Sequence, residues 1–241
     1  MSKSFNGFYA VKDVDLKIRR GSVHALIGPN GAGKTTCFNM LTKALRPTTG
    51  QIFLEGKDIS RLPTSDVARL GLVRSFQISA TFPNLTCLEN VRVALQSKYG
   101  KSFRFWRSLR AISDLNERAM ALLLEVGLGD SASVPASDLS YGKKRALEIA
   151  TTLALDPSVM LLDEPTAGMG HEDIKPITDL IAKVSKDRTI VIIEHNLSVV
   201  SSLSERITVL KQGQVLTEGT YAEVSSDPEV IAAYMGGVDE L

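Results

Sequence analysis

Gly28-Pro29-Asn30-Gly31-Ala32-Gly33-Lys34-Thr35-Thr36 follows directly on the apolar stretch Val23-His24-Ala25-Leu26-Ile27. Glycines at these positions let successive backbone N–H groups turn toward one point, and a helix N-terminus beside them adds a positive dipole end. That combination forms a cradle for phosphate oxygens. Lys34 is spaced to reach terminal phosphates, and the Thr35 hydroxyl to hold Mg²⁺. After the loop, Cys37-Phe38-Asn39-Met40-Leu41 carries no breaker before Pro47, so the pattern predicts a buried strand, the loop, then a helix from Lys34. Such a loop implies a nucleoside triphosphate, ATP or GTP.

Outward from the loop, Val14-Asp15-Leu16-Lys17-Ile18 alternates apolar and charged residues and predicts a half-exposed strand, with Arg20-Gly21 turning into the buried one. Gln51 to Gly56 predicts another short strand. From about Thr81 to Leu155 the texture changes to Leu, Ala, Arg and Glu at helical spacing, as in Glu117 to Leu124, which predicts a mostly helical insert. Strand patterns return at Val159–Leu162, Thr189–Ile193 and Ile207–Leu210, separated by segments long enough for helical crossovers. The continuous apolar runs fit buried parallel strands. The first of them ends in Asp163-Glu164, two carboxylates at the strand end where open α/β sheets bind ligands. Asp163 is placed to orient Mg²⁺, and Glu164 to act as general base on an attacking water.

The chain as a whole narrows the field. Its 241 residues, 44% hydrophobic and 23% charged, suffice for a substantial core in one domain. A formal net charge of +1, with basic and acidic residues interspersed, offers nucleic acid no general attraction. Cys37 and Cys87 lack metal-ligand spacing and fit a reducing cytoplasm. No stretch approaches the roughly 20 apolar residues of a membrane span, so any service to a membrane is expected from outside the bilayer.

A third element is Leu139-Ser140-Tyr141-Gly142-Lys143-Lys144-Arg145, leading into a helical stretch. Ser140 is a natural N-cap, and Gly142 leaves backbone N–H groups accessible at a positive helix end. With these residues assembled, the chain resembles the ATP-binding subunits of ATP-binding cassette (ABC) transporters over essentially its full length. The resemblance implies a P-loop NTPase of the α/β class with a RecA-like core, an antiparallel β subdomain and an inserted helical subdomain. The core would take in about 1–80 and 157–241, and the helical subdomain about 81–156. Leu139-Ser140-Tyr141-Gly142 is similar to the family's signature motif. By that resemblance, Ser140 and Gly142 contact the terminal phosphate of ATP held by a second subunit's Gly28–Thr36 loop, so two sites lie at a head-to-tail dimer interface. Phe5 resembles the aromatic residue that stacks on adenine, with Phe8 and Tyr9 as nearby competitors. Gln77, in Arg74-Ser75-Phe76-Gln77, is similar to the family glutamine that touches Mg²⁺ and the attacking water. His195, in Ile193-Glu194-His195-Asn196, resembles the switch histidine that contacts the γ-phosphate and orients Glu164. His24 and His171 have no such placement and are read as structural or solvated. Two positions depart from the pattern: Lys143 stands where the signature commonly has Gln, and Gly170 where many members have Asp.

Within that family the finer resemblance is to branched-chain amino-acid importers. It is carried by Arg74-Ser75-Phe76-Gln77, by Leu85-Thr86-Cys87-Leu88-Glu89-Asn90-Val91, by the tyrosine in the signature, and by the ending Asp227 to Gly236. This resemblance implies a second ATP-binding subunit, like or unlike, two integral membrane permease subunits and, indirectly, an extracytoplasmic solute-binding protein. It places the chain on the cytoplasmic face of the inner membrane, without nucleic acid as a partner. Urea uptake, lipid or polysaccharide export, and a soluble ABC ATPase are the competing readings. The last is disfavoured because no sustained heptad region separates Lys34 from Ser140. Phe103-Arg104-Phe105-Trp106-Arg107-Ser108-Leu109-Arg110 mixes aromatics with arginines; it either meets the membrane subunit or anionic bilayer, or packs its aromatics inward.

Overall fold

The computed structural model describes residues 1–75, 81–98 and 109–235. Gln77 and residues 103–108 lie outside the described residues. In chain order, β1 (Lys3–Phe5) and β2 (Phe8–Val11) precede β3 (Val23–Ile27) and α1 (Lys34–Leu41). Next come β4 (Phe53–Leu54), β5 (Lys57–Asp58), α2 (Thr64–Arg69) and β6 (Leu72–Arg74). The helices α3 (Cys87–Lys98), α4 (Leu109–Glu125) and α5 (Tyr141–Leu153) follow and pack on one another. The chain then alternates β7 (Val159–Asp163), α6 (His171–Val184), β8 (Thr189–Ile193), α7 (Leu197–Leu203), β9 (Arg206–Lys211) and β10 (Gln214–Gly219). It ends in α8 (Tyr221–Ser225) and α9 (Pro228–Met235).

Six strands form one sheet in the order β10-β9-β3-β8-β7-β6, parallel except for the edge pair β9–β10. Every residue of β3 and β8 is buried, as their continuous apolar sequences require. Strand alternation divides those residues between two cores. Val23, Ala25, Ile27, Ile190 and Ile192 pack on the side of α5, α6 and α7, while Leu26, Val191 and Ile193 pack with Phe38 and Met40 of α1. Parallel pairing also fixes what converges. Leu26 lies opposite Ile193, and Ile193 opposite Asp163, so the segments leaving β3, β8 and β7 emerge side by side at one sheet edge.

Outside the main sheet, the described residues form two separate antiparallel ribbons, β1–β2 and β4–β5. Asn6-Gly7, Glu55-Gly56 and, at β9–β10, Gln212-Gly213 each supply two consecutive residues at positive φ, the backbone needed for a tight hairpin turn matched to strand twist. The strand expected at Val14–Ile18 is not formed. Val14 exchanges backbone hydrogen bonds with Met1, and the segment runs on as irregular chain. Its apolar residues do turn inward, where Val14, Leu16 and Ile18 line a cavity of about 600 Å³ with Ile52, Leu54 and Leu161. A strand needs a partner for its N–H and C=O groups as well as a sided sequence. Phe53–Leu54 is committed to Lys57–Asp58, which also shortens the strand expected over Gln51–Gly56.

Candidate nucleotide site

The Gly28–Thr36 loop joins β3 to α1 as the sequence predicts. Two of its glycines are required by close backbone approach. A Cβ on Gly28 would stand 2.1 Å from the Leu210 carbonyl oxygen, and one on Gly33 would stand 2.6 Å from that of Ala10. Both also have positive φ. The Lys34 ammonium lies at the centre of the loop, donating to the carbonyls of Gly28 at 2.7 Å and Pro29 at 2.9 Å. Burial pushes its pKa below the usual lysine value, and the carboxylates of Glu164 and Asp163 pull it back up. Thr35 is exposed in the first turn of α1, where backbone N–H groups have no intrahelical acceptor. Phe5 is 44% exposed on the β1–β2 ribbon, whose last residues abut the loop at Gly33, so the ribbon carries it to the loop's flank; Phe8 and Tyr9 on the same ribbon are also exposed.

At the end of β7, Asp163 is buried and Glu164 is not. Asp163 pairs with the Arg74 guanidinium, which also donates to Asn39 of α1 at 2.6 Å. A carboxylate at the end of β7, tied through Arg74 to Asn39 of α1, and a threonine hydroxyl in the first turn of the same helix are hard-oxygen donors of the kind Mg²⁺ takes, since that ion keeps most of its remaining positions for water and phosphate. No cluster of three acidic, His or Cys ligands occurs among the described residues. Glu164 adopts a left-handed backbone with φ 47°, rare for a residue with a long side chain, and its N–H donates to Ile193. This turn brings its Oε1 to 2.9 Å from His195 Nε2. With the carboxylate ionised, Nε2 carries the proton and donates it.

The remaining residues fall as follows. Ser140 occupies the N-cap position of α5, but its hydroxyl makes no capping bond and is exposed. Gly142 is buried, and a Cβ there would meet the Asp173 carboxylate at 2.6 Å, so α6 packs on the signature turn at the one residue without a side chain. His24 is buried against Thr208 and His171 is exposed, neither at the sheet edge. Sequence reading missed Glu194. This buried carboxylate accepts from Thr166 through both N–H and hydroxyl and from the N–H groups of His195 at 3.0 Å and Asn196 at 3.2 Å. It locks the loop after β8 onto the loop after β7, and thereby sets His195 against Glu164. An acid directly after an apolar strand and directly before His195 was the available signal.

Phosphate loop, strand-end acid pair and histidine at one parallel-sheet edge define a P-loop nucleoside triphosphatase. Comparison with known proteins narrows the class. Residues 11–167 match the ABC transporter family, and residues 214–240 match the segment described as branched-chain amino acid ATP-binding cassette transporter. The chain is 41% identical over 240 residues to the high-affinity branched-chain amino acid transport ATP-binding protein LivG of Salmonella typhimurium, covering 96% of this chain and 94% of that protein. Among solved structures, the ADP conformation of the ABC transporter cassette MJ1267 superposes with a TM-score of 0.86 at 29% identity, covering 98% of this chain and 96% of that one. The dimeric post-hydrolysis structure of the cassette MJ0796, bound to ADP and phosphate, gives 0.75 at 27% identity over 91% and 95%. The chain belongs to the ABC transporter family of ATP-binding, ATP-hydrolysing subunits.

Proposed function

We propose that this chain energises the uptake of branched-chain or closely related amino acids as the ATPase subunit of a membrane importer, working as a head-to-tail pair. The family and its LivG relative support the solute class, and the dimeric MJ0796 cassette supports the pairing. The contact between His195 and Glu164 beside the phosphate loop carries the catalytic reading. Gly28, Pro29, Asn30, Gly31, Ala32, Gly33, Lys34, Thr35 and Thr36 cradle the triphosphate, and Phe5 stacks on the adenine. Thr35, Asp163 and Gln77 are the residues that would hold Mg²⁺, which when bound offsets phosphate charge. Glu164 accepts a proton from the attacking water, its second oxygen held by His195, which also reaches the γ-phosphate. Ser140 and Gly142 seal the nucleotide of the other protomer through α5's N-terminus. The whole chain acts as one ATP-binding domain, with a helical subdomain of about 81–156 inserted in the core.

Among the described residues no helix is long and apolar enough to cross a membrane. The likeness to transporter ATP-binding subunits supports assigning translocation to two permease subunits, with this chain peripheral on the cytoplasmic face and the solute-binding protein engaged only through them. The test has two parts. Glu164→Gln with ATP and Mg²⁺ is expected to elute as a stable dimer, and the wild-type chain reconstituted with its permeases and binding protein to take up leucine only with ATP. A monomer in the first experiment removes the paired site; leucine-independent ATPase and no leucine uptake in the second remove the solute.

A further inference from the structure

The signature turn is joined to the catalytic loops of its own chain by one side chain. Tyr141, the first residue of α5, donates its hydroxyl to the Ala167 carbonyl at 2.8 Å. The same oxygen accepts from Arg145 Nη2 at 3.3 Å, and the Arg145 guanidinium lies 5.6 Å from the ring centroid while pairing with Glu148 at 2.7 Å. A cationic donor on the hydroxyl's lone pair sharpens its O–H as a donor, because linked hydrogen bonds polarise one another. Gly168 turns the loop past the phenol with a left-handed backbone at φ 73°, close enough that a Cβ there would stand in ordinary contact, 3.5 Å from the hydroxyl. On the far side, the Ala167 N–H donates to the Glu164 carbonyl at 3.1 Å, and Thr166 is held by Glu194, which also holds His195.

We propose that Tyr141 is a positioning residue that couples the two ATP sites: its hydroxyl transmits closure of its own signature turn on the partner's nucleotide to Glu164 and His195 of its own site. This rests on the head-to-tail pairing proposed above. Ser140 and Tyr141 are neighbours with opposite reach, because Ser140 acts across the interface and Tyr141 acts inward. The path consists of four hydrogen-bonded links, from Tyr141 to Ala167, from the 164–167 turn to Glu194, from Glu194 to the His195 backbone, and from His195 to Glu164. Tyr141 as a residue is 45% exposed beside the exposed Ser140, so a partner that closes on the signature turn reaches both.

The experiment uses mixed dimers of two differently tagged copies, with one site silenced by Glu164→Gln so that turnover reports the other. Placing Tyr141→Phe in the copy whose own site is active is expected to lower its kcat about fivefold, the size of one neutral hydrogen bond, with the KM for ATP changed less than about twofold. Placing it in the silenced copy, where Tyr141 flanks the signature covering the active site, is expected to lower kcat at least threefold less. Ser140→Ala should show the reverse asymmetry. Tyr141→Phe and Glu194→Gln combined in the active copy should cost less than the product of the two separate losses, since both cut one path. Equal losses in the two placements, a loss confined to KM, or independent multiplication in the double variant would overturn the coupling. A Glu164→Gln chain that fails to dimerise with ATP would overturn the pairing itself, a result readable before any Tyr141 variant is made.

Discussion

The phosphate-loop side and the signature side of this molecule carry equally recognisable motifs but differ in how far the chain satisfies them. On the loop side, the charged groups at the strand ends and in the loop have local partners: Lys34 has two carbonyls, Asp163 has Arg74, Glu164 has His195, and Glu194 has four donors. On the signature side, the Ser140 hydroxyl is exposed and caps nothing, although it occupies the cap position of a 13-residue helix. An N-cap serine ordinarily contributes about 1 kcal/mol by accepting from its own helix. A hydroxyl that leaves that interaction unmade, at a positive helix end, is available to an acceptor brought by another molecule. On the proposed head-to-tail pairing, the difference teaches that one half of the site is built by folding and the other by assembly.

The largest expected effect breaks the loop side at its chemistry. Glu164→Gln removes the proton acceptor while leaving the cradle, so steady-state ATP hydrolysis should fall by about 10²–10⁴ with ATP affinity retained. Turnover near wild type would take Glu164 out of its role. Lys34→Ala comes next and acts on binding: losing charge-assisted bonds to phosphate should weaken ATP affinity by about a hundredfold, read by equilibrium binding. Unchanged affinity would mean that the buried ammonium serves only to close its own loop. Ser140→Ala sharpens the comparison with a smaller effect. It should leave isolated-chain stability within about 0.5 kcal/mol, because the hydroxyl caps nothing, yet slow dimer turnover about tenfold at the partner's site. A stability loss of about 1 kcal/mol would instead restore Ser140 to an ordinary cap.

What was legible in sequence divides along a related line. The loop, the acid pair and His195 could be read because each sits within a few residues of a buried apolar strand, so the local pattern carries both the motif and its placement. The contacts that tune them join residues far apart in the chain. Arg74 and Asp163 are 89 residues apart, Thr166 and Glu194 are 28, and Tyr141 and Ala167 are 26. Those depend on sheet order, which no local pattern states. Val14–Ile18 shows the complementary failure, since alternation reports which side chains turn inward and is silent on which backbone will pair. The β1–β2 ribbon was readable and was missed: Asn6-Gly7 between two aromatic residues is a hairpin signal in plain view.

The smallest expected effect tests whether the sheet beneath the loop side is as self-sufficient as its contacts suggest. His24 lies buried in β3, 2.8 Å from the Thr208 hydroxyl, with Arg206 and Glu218 as the charged groups facing it from β9 and β10. Burial is the main cause that lowers its pKa from 6.5; Arg206 adds to the lowering and Glu218 opposes it. The folded chain therefore keeps His24 neutral at pH values where the unfolded chain has begun to protonate it. Between the folded pKa and 6.5 the unfolded state binds more protons, so stability falls as the pH drops through that window, by at most about 1.4 kcal/mol per pH unit for one group. Urea midpoints measured from pH 7.5 to 5.5 should show this slope, and His24→Gln should flatten it while Ser140→Ala leaves it in place. A slope that survives His24→Gln would move the acid sensitivity of the fold to some other group and leave the buried pair in the sheet neutral in its effect.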